Sequence, residues 1–373
     1  MSIPTVTLSA NTSWYLFNFR RSTILRLQSE GYRVVCLSPQ DDYSARLEAE
    51  LGCQWLPLTM DNKGSNPLRD AFLFRQFIRC YKKLRPIAAF HFTIKNNIYG
   101  TWAARLLGIP AINNVSGLGT AFIRSGVVAA IVRMLYKTSQ PLAHRVFCQN
   151  EEDYQLLVEQ KLVPVSRLQL LPGSGVDLQR FHPGLRQSHG DSFRFLYAGR
   201  MLADKGLHEL IEAFTTLYRS RQDCALWLCG FTDADNVSAI SESRLQAWAN
   251  LPGVTWLGAS DNMEHIYAQV DAVVLPSYRE GMPRSLLEAG AMGLPVVTTN
   301  VPGCRNLVAH GDNGLLCGPK NSQSLQLAMA ALLNMPENDR KRLGDNSRHL
   351  IERAYSEDLV VDAAIKALPN TVA

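Results

Sequence analysis

Short apolar runs alternate with longer amphipathic stretches along the chain. The runs that predict buried strands are residues 3–9, 33–38, 86–92, 109–113, 144–149, 193–198, 225–230, 254–258, 271–275 and 295–298. Stretches between them, such as residues 17–30 and 68–85, place apolar residues at helical spacing. This alternation predicts α/β architecture with parallel sheets, which bind ligands at the carboxyl ends of their strands.

The length and one Pro/Gly-rich segment divide the chain. At 373 residues the chain is longer than one hydrophobic core usually supports, so two domains are predicted. Residues 170–183 are dense in Pro and Gly, and a polar stretch follows at residues 187–192. We therefore predict a first domain over residues 1–175 and a second domain that begins at residue 176.

Charge is distributed unevenly between the two halves. Residues 1–180 hold 21 Lys and Arg against 12 Asp and Glu, whereas the rest of the chain holds 17 against 21. The basic first half favours an anionic partner, such as a membrane surface or a lipid diphosphate. Nucleic acid is the weakest alternative, because the sequence has no aromatic-basic RNA signature and no zinc-finger spacing.

The cysteines and the start of the chain indicate a cytoplasmic protein. Eight cysteines are scattered without a Cys-x-x-Cys motif, which is typical of reduced core thiols rather than of disulfides or a zinc site. The first residues lack the basic and apolar regions of a signal peptide. No run reaches the ~18 apolar residues that a membrane span needs.

Two carboxylates stand eight residues apart in the segment 275–297. A helix is predicted to start near Pro283, which places Glu280 in the preceding loop and Glu288 inside the helix. The free N–H groups of the first turn attract anions. Two hydroxyl-binding carboxylates beside a phosphate cradle suit a nucleotide sugar. Glu280 is predicted to be catalytic, and the predicted donor-binding residues here are Gly281, Met282, Pro283, Arg284, Ser285, Leu286 and Glu288.

A second candidate cluster follows the strand predicted at residues 193–198. Arg200 and Lys205 stand at its carboxyl end between Gly199 and Gly206. An Arg can fork onto two phosphate oxygens and a Lys adds a compact charge, so this pair predicts a diphosphate clamp. Gly230 ends a later strand, where a base or ribose would approach.

These motifs resemble those of retaining glycosyltransferases of family 4 (group 1), whose E-x7-E motif the acids match. Glu280-Gly-Met-Pro, Arg200-x4-Lys205 and the linker Pro172-Gly-x-Gly-Val-Asp177 all agree with that family. The resemblance implies the GT-B fold, with two doubly wound Rossmann-like domains facing across a cleft. It also implies a second domain over residues 176–355 and a last helix, within 356–373, that crosses back to the first domain. Glu280 would bind the hydroxyls of the transferred sugar and Glu288 the ribose.

The first half resembles the bacterial subgroup that extends polyprenyl-diphosphate-linked sugars. The matching segments are Asn18-Phe-Arg20, His91-x3-Lys95-x-Asn-Ile-x-Gly and Ser116-Gly-Leu-Gly. The resemblance implies acceptor-binding roles for Asn18, Arg20, His91, Lys95, Ser116 and Gly117. Ser116 stands where many relatives have a sugar-contacting His. The alternatives are an ordinary surface Arg20 and a structural His91 at a strand end.

Two stretches combine aromatic or aliphatic residues with basic ones. They are residues 68–85 and 121–137. Such a composition suits an interfacial helix on anionic lipid, and also an amphipathic helix that covers a sheet with a basic outer face. Because both can hold at once, we predict peripheral contact with the inner face of the cytoplasmic membrane.

The predicted activity is a retaining hexosyl transfer. The resemblance implies that a hexose or N-acetylhexosamine moves from a UDP-sugar to a polyprenyl-diphosphate-linked saccharide, in bacterial surface-glycan or glycoprotein-glycan assembly. No cofactor or metal is expected, because the basic clamp can replace a cation. The alternatives are a nucleotide-sugar epimerase of the same architecture, a transferase with a soluble acceptor, and a non-catalytic sugar-nucleotide-binding protein.

Overall fold

The structure is a computed structural model that describes residues 3–61, 66–116, 127–188, 190, 192–232, 236 and 238–369. The chain divides into two compact units, which are described separately. One unit comprises the residues up to Ser174 together with those from Asp358 onward, and the other runs from Gly175 to Glu357.

The first unit is built on a parallel sheet. Its strands are β1 (Thr5–Ser9), β2 (Arg33–Ser38), β3 (Gln54–Pro57), β4 (Ala88–Phe92), β5 (Ala111–Val115), β6 (Arg145–Cys148) and β7 (Leu168–Leu170). Their order in the sheet is β3-β2-β1-β4-β5-β6-β7, and each neighbouring pair is parallel. β1, β4 and β5 are buried along their whole length, as expected for a sheet covered on both faces.

Helices cover both faces of this sheet. They are α1 (Ser13–Ser29), α2 (Ser44–Leu51), α3 (Pro67–Leu84), α4 (Thr101–Leu106), α5 (Val127–Ser139), α6 (Glu151–Glu159) and the late helix α13 (Glu357–Lys366). A π-helical turn, Asn96–Gly100, leads into α4. Val360 and Ala364 of α13 belong to the same buried cluster as Val6, Leu8 and Ile24. The end of the chain therefore contributes to the core of the first unit.

The second unit repeats the plan. Its strands are β8 (Phe193–Ala198), β9 (Cys224–Cys229), β10 (Val254–Gly258), β11 (Ala272–Leu275), β12 (Val296–Thr299) and β13 (Gly314–Cys317). Its helices are α7 (Leu207–Ser220), α8 (Glu242–Ala249), α9 (Met263–Tyr267), α10 (Arg284–Ala291), α11 (Ser322–Asn334) and α12 (Glu337–Ala354). The strand order is β10-β9-β8-β11-β12-β13. In such sheets ligands bind beyond the carboxyl ends of the strands where the order reverses, here at β8 and β11.

One helix boundary differs from that predicted, and a second agrees with the prediction. α1 begins at Ser13 rather than near residue 17, because the Thr12 side chain caps it by accepting a hydrogen bond from Tyr15 N–H at 3.1 Å. The segment around Asn18 therefore lies inside the helix rather than at its start. α10 begins at Arg284, with Pro283 in extended conformation at the N-cap position.

Among the described helices, none combines the length and the apolar character needed to cross a bilayer.

Candidate active site

Glu280 lies in the loop between β11 and α10, as predicted. Its Oε1 accepts a hydrogen bond from the Ser277 hydroxyl at 2.6 Å and forms an ion pair with the Lys205 ammonium. Ser277 is fully buried, and its carbonyl oxygen accepts a hydrogen bond from the Thr299 hydroxyl at 2.5 Å. The side chains of Lys205 and Glu280 are only 18% and 11% exposed. Glu280 is therefore held in one orientation by two neighbours, and charge-assisted bonds of this kind are strong.

Glu288 lies inside α10 and has its own cation. Arg284, one turn earlier, donates from Nε to Glu288 Oε1 at 2.8 Å. Burial, reinforced by the negative charge of Glu288, raises the pKa of Tyr267 well above its usual range. Tyr267 therefore stays a neutral hydroxyl close to Glu288. Both predicted carboxylates of the site thus stand beside a positive charge.

Glycines allow the loops at these strand ends to approach closely. A Cβ on Gly206, where φ is 75°, would lie 2.1 Å from the carbonyl oxygen of Pro276. A Cβ on Gly230 would lie 1.8 Å from the carbonyl oxygen of Gly199. Neither position can accept a side chain without moving the backbone. The loops after β8, β9 and β11 therefore meet at one edge of the sheet.

The support that Gly303 provides to Glu280 was not apparent from the sequence. Gly303 has a φ of 80°, and a Cβ there would lie 2.6 Å from the carbonyl oxygen of Glu280 and 2.7 Å from that of Gly281. The N–H of Glu280 donates to the carbonyl of Pro302 at 3.3 Å. The Pro302-Gly303 pair is visible in the sequence as a turn, but the segment against which it packs is not. Ser277 had no sequence signal at all.

Arg200 lies at the carboxyl end of β8 with an exposed side chain. Its carbonyl oxygen accepts a hydrogen bond from the Tyr197 hydroxyl at 2.7 Å. Burial raises the pKa of Tyr197 well above its usual range, and the charges of Glu280 and Arg200 both act on this hydroxyl. Arg200 and Glu280 are thus close to the same buried group.

The donor-binding prediction is wrong for Leu286. Its side chain is 2% exposed and belongs to the hydrophobic core, and its N–H donates to the carbonyl of Pro283 at 3.1 Å. Leu286 therefore has neither an exposed side chain nor a free N–H with which to bind the donor. Gly281, Met282 and Ser285, in contrast, are partly exposed beside the two acids.

In the first unit, Arg20 is a buried cation. The residue is 2% exposed, and its guanidinium lies over the Phe92 ring, 4.3 Å from the centroid. Its Nη2 donates to the Tyr15 hydroxyl at 3.0 Å, whereas its buried Nε has no hydrogen-bond partner. Within the described part of the chain Arg20 has no ion pair. Arg20 is therefore not an ordinary surface arginine, and it occupies the carboxyl end of β4.

The prediction that His91 contacts an acceptor is wrong. His91 is fully buried, and its Nδ1 lies 2.8 Å from Asn113 Oδ1 while its Nε2 lies 2.7 Å from the Tyr81 hydroxyl. The Asn113 oxygen can only accept, so Nδ1 carries the proton and Tyr81 donates to Nε2. A Cβ on Gly100 would lie 2.5 Å from Nε2. No face of the imidazole is left for a ligand.

Acid should destabilise the protein through His91. Burial lowers the pKa of His91 from 6.5 to about 4, so the folded state keeps the ring neutral while the unfolded chain protonates. The stabilisation is complete above pH 6.5 and is lost as the pH falls toward 4. Between pH 7 and pH 5 this one group should remove roughly 2 kcal/mol from the free energy of unfolding.

The measurement is urea unfolding at pH 7 and at pH 5. His91→Phe should have a smaller free energy of unfolding at pH 7 but a shallower loss on acidification. His265→Gln, which removes an exposed histidine, serves as the control and should follow the wild type. An unchanged pH dependence in His91→Phe would contradict the assignment.

Lys95 already has an anionic partner within the chain. Its Nζ donates to Asp70 Oδ1 at 2.7 Å, and the Tyr99 hydroxyl donates to Asp70 Oδ2 at 3.0 Å. Lys95 and Asp70 are 16% and 13% exposed. Lys95 is therefore not a buried cation that needs an anion from a ligand. Arg20, in contrast, is a buried cation to which the described residues offer no anion.

The other acceptor residues are less informative. Asn18 is half-buried and donates from Nδ2 to the carbonyl of Trp14 at 3.0 Å. Ser116 is half-buried just after β5, and Gly117 lies outside the described residues.

Thr93, next to Phe92, has a φ of 73°. This conformation is strained for a β-branched residue, and strained residues of this kind cluster at functional sites.

The fold and the site together define a class. Two doubly wound parallel-sheet units, with two carboxylate–cation pairs and a helix N-terminus at the strand ends of the second, are the architecture of GT-B glycosyltransferases. Comparison with known families supports this. The model for glycosyl transferases group 1 matches residues 184–350, and that for a glycosyl transferase 4-like domain matches residues 19–173. The two matches cover most of the chain, which belongs to the group 1 glycosyltransferases and is a hexosyltransferase.

Curated relatives match over much of their length. The chain is 27% identical to the N,N'-diacetylbacillosaminyl-diphospho-undecaprenol alpha-1,3-N-acetylgalactosaminyltransferase of Campylobacter jejuni, over 96% of each chain. It is 25% identical to the UDP-Gal:alpha-D-GlcNAc-diphosphoundecaprenol alpha-1,3-galactosyltransferase of Escherichia coli, over 73% of this chain and 74% of the other.

Solved structures share the fold. HepE of Anabaena, in complex with UDP and glucose, superimposes with a TM-score of 0.79 at 16% identity over 98% of this chain and 99% of the other. WaaG, a glycosyltransferase involved in lipopolysaccharide biosynthesis, gives a TM-score of 0.76 at 16% identity over 98% and 100%. At this identity the likeness concerns the fold.

Proposed function

We propose that this enzyme transfers a hexose or N-acetylhexosamine from a UDP-sugar to a polyprenyl-diphosphate-linked saccharide, with retention at the anomeric carbon. The observation that carries the donor half is the Lys205–Glu280 pair beside the Arg284–Glu288 pair at the strand ends of the second unit. Carboxylates bind sugar hydroxyls, and cations bind a diphosphate. A nucleotide sugar needs both.

The chemistry proposed is a front-face substitution. The bond from the anomeric carbon to the diphosphate oxygen breaks while the acceptor oxygen bonds on the same side, and the leaving oxygen takes the acceptor's proton. Lys205 has three N–H donors, so it can bind the leaving diphosphate while it holds Glu280. With Arg200 it would stabilise the charge that develops there. These cations are why we propose a reaction without a metal or cofactor.

The acceptor half rests on Arg20. Burying a cation without an anion is costly, and the described residues offer it none. A diphosphate at the carboxyl end of β4 would supply the missing acceptors. The names of the Campylobacter jejuni and Escherichia coli relatives both specify diphospho-undecaprenol-linked sugars, which supports this acceptor class. A lipid-linked acceptor in turn favours work at the cytoplasmic face of the membrane, in the assembly of a bacterial glycan.

The test is release of UDP from a panel of UDP-sugars. Each donor is incubated with a short-chain polyprenyl-diphosphate sugar, with the free sugar, or with no acceptor. The proposal expects release from one donor, only with the diphosphate-linked acceptor, and an α-linked product. Equal release with free sugar would point to a soluble acceptor. An epimerase would instead convert the UDP-sugar without any acceptor, and an inverted product would contradict retention.

A further inference from the structure

One face of α3 combines exposed apolar side chains with unpaired cations. At 3.6 residues per turn, six of its residues fall within about 100° of one another around the helix axis. This outward stripe consists of Leu68, Phe72, Arg75, Arg79, Lys82 and Lys83. The opposite face is buried in the core of the first unit through Leu73, Phe77 and Tyr81. As far as the described residues are concerned, the outward stripe is therefore open to another partner.

The cations of the outward stripe lack the ion pairs that arginines on two other helices of the first unit form. On α1, Arg26 pairs with Glu30 at 2.8 Å, and on α2, Arg46 pairs with Glu50 at 2.6 Å. The acid of α3, Asp70, is mostly buried and accepts hydrogen bonds from Lys95 and Tyr99 instead of pairing with the stripe. In the described part of the chain, none of the four stripe cations has an ion pair or hydrogen bond. Their charge is not balanced locally.

The apolar end of the outward stripe is equally unusual. Leu68 is 82% exposed and Phe72 is 48% exposed, one turn apart at the start of the helix. Nothing within the described residues covers them. Leu68 to Lys83 spans about 22 Å along the axis at ~1.5 Å per residue. The outward stripe can therefore lie flat on one surface along its whole length.

We propose that the outward stripe of α3 docks the enzyme on an anionic phospholipid bilayer. Leu68 and Phe72 would enter the interface between head groups and acyl chains, and the four cations would contact lipid phosphates, as in other interfacial helices. A nucleic acid would match the charge but not the apolar pair. The proposal depends on the proposed function in one respect only, which is that the bilayer carries the acceptor. Docking would bring the enzyme to that acceptor.

The test is co-sedimentation with vesicles of phosphatidylcholine, with or without phosphatidylglycerol, in the absence of donor and acceptor. Wild type should bind the anionic vesicles, and binding should weaken with salt. The triple variant Arg75→Gln, Arg79→Gln, Lys82→Gln should lose on the order of 100-fold in partitioning. Phe72→Ser should weaken binding to both kinds of vesicle.

The matched control is Lys341→Gln, Arg342→Gln, Arg353→Gln, which removes three exposed charges from α12 in the second unit. It should bind like the wild type. Equal loss in both triple variants, unchanged binding of the α3 variant, or no wild-type binding would each overturn the proposal. Transfer to a short-chain acceptor in solution should be unaffected by the α3 changes, which separates a failure of docking from a failure of the proposed activity.

Discussion

Replacing Glu280 with Gln is expected to reduce kcat/KM by on the order of 10³-fold or more. Gln has the same shape and can still accept the hydrogen bond from Ser277. It cannot balance Lys205, which is mostly buried and would become an uncompensated charge. It also removes the anion proposed to bind the sugar hydroxyls. The loss of activity should therefore be accompanied by a smaller free energy of unfolding.

A double-mutant cycle with Lys205→Met separates the pairing of Glu280 with Lys205 from its proposed contact with the sugar hydroxyls. If the ion pair acts as one unit, the double variant should lose little more activity than either single variant. The control is Glu264→Gln, because Glu264 is another mostly buried acid in the second unit, paired with Arg180 at 2.7 Å. It should retain nearly full activity. Glu280→Gln with wild-type turnover would remove Glu280 from the chemistry.

Replacing Arg20 with Met is expected to raise the KM for the polyprenyl-diphosphate acceptor by on the order of 100-fold, with the donor KM nearly unchanged. A desolvated guanidinium that hydrogen-bonds a diphosphate makes a strong, charge-assisted contact that Met cannot replace. Thermal unfolding supplies the second readout. Because Arg20 is buried and the described residues offer it no anion, Met should leave the melting temperature unchanged or raise it.

This combination of results distinguishes a ligand site from a structural residue. A purely structural Arg20, held by Phe92 and Tyr15, would lower the melting temperature when removed and would affect donor and acceptor together. The neighbouring Arg21, 47% exposed, is the control. Arg21→Met should change neither acceptor KM nor melting temperature. An unchanged acceptor KM in Arg20→Met would place the diphosphate elsewhere.

The site in the second unit was largely predictable because its signals are local. Glu280, Pro283 and Glu288 lie within nine residues. Because a proline is tolerated only at the start of a helix, Pro283 by itself predicts that Glu280 lies in a loop and Glu288 in a helix. Arg200 and Lys205 stand beside glycines that end a strand. The prediction failed for Leu286, because helix position alone does not reveal which side chain enters the core or which N–H is already bonded.

The site in the first unit was less predictable because its signals depend on distant partners. His91 and Lys95 carry chemistry that a ligand could use, but Tyr81, Asn113 and Asp70 satisfy both. These partners are 10 to 25 residues away in the chain. No local pattern shows whether a buried polar group has found its hydrogen bonds.

The sequence by itself predicted most of the strands, though not β3 or β7, together with the two-domain plan and the identity of the paired acids. Hydrophobic periodicity and the conformational limits of Gly and Pro are properties of neighbouring residues, so they can be read along the chain. Only the tertiary structure decided that Ser277 and Gly303 support Glu280, that His91 is interior and that Arg20 is a buried cation with no anion among the described residues. Those facts depend on burial and on contacts between segments that are distant in sequence.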